Sequence, residues 1–195
     1  SFIWGGGDGN VLSQDPYCYV VNLQTGAWAK YTGWDTQCLC YHDGFVYFGT
    51  ADGRIMQAET TGYDDGVSYV ARYCGLFERL EGPTTKQLHQ ARATWTYGRD
   101  FDDRVSFSTE YVVTWPAAPP AAPDNDDLDV WDIAEWDEAV WDTEAGTRVK
   151  ARWVSIGRTG YTVAPMVQVT CGGVALPDAE LVSIDLTYES GGIVV

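Results

Sequence analysis

The chain has 195 residues, is 45% hydrophobic and 14% aromatic, and carries a formal net charge of −16. No apolar run approaches the roughly 20 residues of a membrane-spanning helix, so no membrane insertion is expected. Twelve Lys and Arg against 28 Asp and Glu argue against a surface built to grip phosphates.

Frequent Gly, Trp and Tyr favour an all-β protein. Ser1 leads directly into Phe2-Ile3-Trp4, and no signal peptide is expected there. That start predicts a processed or truncated chain, or one that docks on something. From Tyr17 to Thr60 each short apolar run is broken by a Gly-centred turn: QTG before Trp28, HDG before Phe45, ADG before Arg54. Asp-Gly favours tight hairpins, because glycine reaches positive φ without a Cβ clash. Residues 1–61 therefore read as a partial β-propeller blade segment. A blade takes roughly 40–45 residues, so there is room for one or one and a half. Propellers need four or more, so the segment is expected to be a fragment or to complete a wall built elsewhere.

Residues 62–195 read as an antiparallel β-sandwich interrupted by an arm at 116–147. Ala91, Ala93, Trp95 and Tyr97 alternate with Arg92, Thr94 and Thr96. Val105, Phe107, Thr109, Tyr111 and Val113 repeat the pattern opposite Ser106, Ser108 and Glu110. The stretch WPAAPPAAPDNDDLD then breaks the sheet, since proline lacks the ladder N–H. Within the arm, Trp131-Asp132, Trp136-Asp137 and Trp141-Asp142 recur every five residues, which fits neither a helix nor a strand. The arm is read as irregular. Its tryptophans either anchor a neighbouring subunit or cover their own domain's sheet. Residues 116–147 hold ten acids and no Lys or Arg, so −16 becomes −6 without them. The sheet resumes with Val149, Ala151 and Trp153 alternating with Lys150, Arg152 and Val154. Val163–Thr170 is a further strand. In 180–189, Val182, Ile184, Leu186 and Tyr188 are expected on one face, opposite Ser183, Asp185, Thr187 and Glu189. The apolar tail Ile193-Val194-Val195 would prefer a partner to water.

Five cysteines cannot all pair, and their spacing favours reduced thiols. Cys38, Cys40 and His42 would share one strand face, but Cys18 would have to supply a fourth zinc ligand, so no metal is assigned. The run Asp124 to Asp129 has oxygen donors, and Glu135 stands at position twelve. It lacks the sixth-position Gly of a calcium loop and reads as a solvated acidic loop. His42 and His89 make a poor general-base inventory. There is no GxSxG, HExxH or phosphate-loop motif, so no catalytic residue and no cofactor is assigned.

The blade hairpins NLQTGAWAKYTGWD and GFVYFGTADGRIMQAET, the strand KQLHQARATWTYG, the arm VWDIAEWDEAVW and the closing strands together resemble the C-terminal part of tail nozzle or hub proteins of short-tailed bacteriophages. The resemblance covers nearly all of the chain. It implies a non-enzymatic structural virion protein, made in the host cytoplasm and placed in the tail. Its partners would be copies of itself in a ring and other tail, adaptor or portal proteins. DNA would pass through transiently during ejection without specific binding. The interface residues would be Trp131, Trp136, Trp141, Ile193, Val194 and Val195. Two other classes compete: a surface or secreted carbohydrate-binding module that stacks Trp on sugars, and a hydrolase with paired carboxylates.

Overall fold

The computed structural model describes residues 2–5, 16–121, 148–173 and 178–191. The described chain is all-β and antiparallel, with no helix. It divides into two compact units, Ser1–Thr60 and Thr61–Val195.

The first unit holds two three-stranded meanders. One is β1 (Phe2–Gly5), β2 (Tyr17–Val21) and β3 (Trp28–Thr32); the other is β4 (Thr36–His42), β5 (Phe45–Thr50) and β6 (Ile55–Gln57). The two Asp-Gly pairs make different turns. Asp43 and Gly44 both have positive φ, 49° and 86°, which closes the two-residue β4–β5 hairpin with the right-handed strand twist. At the second, only Gly53 is left-handed, and Gly53 N donates to Thr50 O at 3.0 Å. That is a three-residue loop ending in a bulge. Nothing lies within 4 Å of a Cβ built on Gly44, so any cost of a side chain there is purely conformational. Gly44→Ala is expected to lower the stability of the first unit by about 1–2 kcal/mol in urea melts. An unchanged midpoint would show that the hairpin does not depend on that turn.

Among the described residues the second unit is made of two three-stranded sheets. One orders β10 (Arg148–Gly160), β8 (Lys86–Tyr97) and β12 (Ala179–Ser190), with β8 central. The other orders β7 (Tyr69–Cys74), β11 (Val163–Cys171) and β9 (Asp103–Thr109), with β11 central. Each successive strand from β7 to β12 changes sheet, so every connection between them crosses from one sheet to the other. The alternation read in β8 sends Ala91, Ala93 and Trp95 inward. Ala93 and Trp95 meet Phe101 and Val167, Val169 and Cys171 of β11 in one buried cluster, and Leu88, Ala91, Phe107 and Val163 form a second. Trp95 is satisfied while buried: its Nε1 donates to Asp103 Oδ2 at 3.2 Å.

Three local expectations are corrected. The β9 pattern does not run on to Tyr111 and Val113. Glu110 and Tyr111 have φ of 56° and 59°, and Val112 N donates to Thr109 O at 3.1 Å, so the chain reverses there. Two non-glycine residues in that conformation are costly and must be held by their surroundings. Here Glu110 Oε1 accepts from Tyr161 N at 2.7 Å, and the Tyr111 ring packs on Phe77. The second correction concerns Val182. A register shift between Leu181 and Ser183 displaces it from the inward set; Val182 is exposed, and Leu181 packs on the core instead. The third is that the Pro/Ala stretch does not simply leave the sheet. Up to residue 121 it lies along the outer face of β7-β11-β9: Thr114 N donates to Ser108 Oγ at 3.1 Å, Arg72 stacks on Trp115, and Thr170 Oγ1 donates to Pro119 O. Proline suits this role, since a strap held by side chains needs no ladder N–H. It leaves β11 buried on both faces, which explains its nearly unbroken apolar run.

Proline at position 165 of a central strand breaks the usual rule. It is accommodated because the β7 ladder ends one residue earlier, at the Met166–Cys74 pair. There Gly75 N donates to Pro165 O at 2.8 Å, and a Cβ on Gly75 would sit 2.8 Å from the proline ring.

Candidate assembly surface

Among its described residues the first unit buries little of itself. The buried apolar ones are Cys18, Val20, Val21, Phe48 and Ala58, and neither core cluster includes a described residue of this unit. Its two sheets are joined by packed rings: Trp34 stacks on Phe48 at 4.7 Å and meets Tyr31 edge-on at 5.1 Å. Meanwhile Trp28, Leu23, Tyr41, Phe45 and Ile55 are exposed, Ile55 at 81%. Among the described residues, β3, β4 and β6 each keep one edge without a ladder partner. Exposed apolar side chains beside open edges are what an assembly surface presents before assembly. Asp52 steadies the tip of the β5–β6 hairpin. The Thr50 hydroxyl and then Arg54 hold its carboxyl below its ordinary range.

In the second unit the outer face of β10-β8-β12 carries a polar and aromatic row. Arg92 of β8 faces Trp153 on one side and Asp185 on the other. Its guanidinium donates to Asp185 Oδ2 from Nε at 3.0 Å and Nη2 at 2.7 Å, and lies 4.9 Å from the Trp153 ring centroid. Both acceptor and ring fix one planar cation, a geometry lysine could not reproduce. At the inner end of the same sheet Lys150 donates to Phe101 O and lies 3.7 Å from both Asp100 and Asp103. These carboxylates are thus committed to holding a half-buried ammonium. His89 Nε2 lies 3.5 Å from Glu189 on an exposed flank, and His42 is exposed on β4.

Cys38, Cys40 and His42 do share one side of β4, and all three are exposed. Cys18 is buried on β2, in the other sheet of the unit. Among the described residues no three His, Cys, Asp or Glu side chains converge as metal ligands. All five cysteines are free thiols. Burial pushes the Cys18 and Cys171 thiols up, and desolvation does the same at Cys74. The thiolate is the reactive form. Cys38 and Cys40 are therefore expected to react with a disulfide reagent at neutral pH well before Cys18 and Cys171, as mass mapping of the labelled peptides would show. Equal labelling of Cys18 would mean β2 is not packed as described.

The sequence-assigned interface residues Trp131, Trp136, Trp141, Ile193, Val194 and Val195 lie outside the described residues, as does the acidic run from Asp124 to Asp129. The sequence reading did not single out the Arg92 row, which depends on which strands are neighbours. It also passed over the charge of β10, although the signal was present: Arg148, Lys150, Arg152 and Arg158 stand in one strand with no acid. No protein-family model matches the chain, and no curated protein or solved structure matches it either.

Proposed function

We propose that this chain is a structural subunit of a bacteriophage tail, one copy of a ring-forming nozzle or hub that retains the packaged genome and lets it pass at ejection. The observation that supports this best is the first unit. Two Gly-turned meanders that, among the described residues, have few buried side chains, open edges and exposed Trp28, Tyr41, Phe45 and Ile55 have the character of partial blades that gain their core from neighbours. The β-propeller and β-sandwich attributions belong to the same proposal. The charge fits it too. A conduit wall must not trap a sliding duplex, and a net charge of −16 repels the phosphate backbone. Subunit contacts would come from the apolar edges, the tryptophan arm and the apolar tail. No enzymatic step is assigned.

Native mass spectrometry with electron microscopy of the purified chain tests the reading. A closed ring of identical copies is the expected result. The same sample should show no DNA binding at about 50 mM salt, where non-specific attraction is strong. A monodisperse monomer at all concentrations would sink the proposal.

A second reading, a carbohydrate-binding module, draws on Trp153, which is 42% exposed on a sheet face beside Arg92 and Asp185. An aromatic platform edged by planar polar groups can stack on and hydrogen-bond a sugar. It predicts a monomer whose tryptophan fluorescence shifts with a soluble glycan, and whose response is lost in Trp153→Ala.

A further inference from the structure

We propose that the open edge of β10 is a docking strand for an extended acidic segment of a second copy of this chain; the proposal rests on the ring-subunit function above and names one of its contacts. β10 is a sheet edge. It is laddered to β8 on one side and, among the described residues, to nothing on the other. It is also one of the most exposed strands of the second unit, with most of Arg148–Gly160 open to solvent. An edge of this kind presents a row of unpaired N–H and C=O groups, the template for strand addition. From Arg148 to Ser155 its register against β8 is unbroken, and the shift comes only between Ser155 and Arg158. Eight continuous residues span roughly 27 Å, enough for an ordinary strand to pair along.

Charge says what would pair there. β10 carries Arg148, Lys150, Arg152 and Arg158 and no acid, in a chain whose net charge is −16. One third of the chain's twelve cations thus stand on one edge strand. Lys150 is engaged by Asp100 and Asp103, whereas Arg152 and Arg158 have no ion pair among the described residues. The complement is written in the same sequence: residues 116–147 hold ten acids and no Lys or Arg. Opposite charges across a pairing strand set register and partner, and like charges suppress other partners. The simpler account is that cations on an edge only prevent unwanted pairing. That account predicts no attraction to an acidic segment, so experiment separates the two.

Sedimentation velocity of the intact chain at low and high salt, compared with Arg152→Glu/Arg158→Glu, tests the proposal. The wild-type chain should self-associate more weakly as salt rises. The double reversal should weaken association about tenfold or more. Adding Asp126→Lys and Asp127→Lys to the same chain should restore it, because the charges are then exchanged. Arg79→Glu/Arg99→Glu, with the same change of net charge, should leave association near wild type. Circular dichroism checks folding, and Arg152→Gln/Arg158→Gln serves if the reversal misfolds. A ring that the β10 variants leave unchanged overturns the edge proposal and leaves the ring function standing. Equal weakening in the control pair, or no rescue, also overturns it. A loss of stability with no change in association would mean that the acidic segment docks on its own copy, which overturns it too. A wild-type monomer under all conditions takes the ring function with it.

Discussion

Replacing Phe107 by alanine is expected to lower the stability of the second unit by about 3–5 kcal/mol. The ring is 2% exposed and sits where the sheets meet, with Leu88 and Ala91 of β8 and Val163 of β11. Truncation removes the transfer free energy of the ring and leaves a cavity that two crossing sheets cannot close. Every connection from β7 to β12 changes sheet, so relaxing one sheet toward the gap would pull on the other. Urea unfolding followed by tryptophan fluorescence should show the loss as a lower midpoint with a similar slope. A change under about 1 kcal/mol would mean that Phe107 is not enclosed by both sheets.

The opposite sign is expected at Gln168. This side chain is fully buried in the middle of β11, and among the described residues neither its Nε2 nor its Oε1 has a hydrogen-bond partner. It lies beneath the strap, on the same face as Met166, directly across from Arg72 on β7 and Arg104 on β9. A buried amide with no partner forfeits its hydration without replacement. Gln168→Met keeps the volume and removes both polar atoms. It should raise stability by about 1–3 kcal/mol, measured by the same melts. A loss of similar size would show that the amide is satisfied by an internal water, which the apolar variant would strand.

The all-β class and most strand positions were legible in the sequence because both rest on local physics. Alternation along β8 was read correctly, since a half-buried strand must send every second residue inward; in β10 the apolar set Val149, Ala151 and Trp153 is exposed instead, and Lys150 and Val154 are the half-buried positions. The Asp43-Gly44 turn was legible for a related reason: few residue pairs accept two successive positive φ angles. Glu110-Tyr111 was not, because neither residue announces a left-handed turn. Contacts from Tyr161 and Phe77, distant in sequence, hold it in place. Val182 failed for a comparable reason. A single-residue bulge reverses the facing of a strand, and its cause lies in the partner strand's register.

Composition by itself determined the sign of the surface and the concentration of acids in 116–147. The tertiary structure decided what the remaining cations do. Arg92 is committed to Trp153 and Asp185, Lys150 to the inner end of its sheet, and Arg152 and Arg158 stand on an edge strand that, among the described residues, is laddered on one side only. Strand order makes that distinction, and order is set by non-local burial between two sheets that no window of sequence contains. The same holds for the strap. Proline content marks where a ladder must stop. Only the packed outer face of β11, with Met166 and Gln168 needing cover, decides that residues up to 121 turn back and lie upon it.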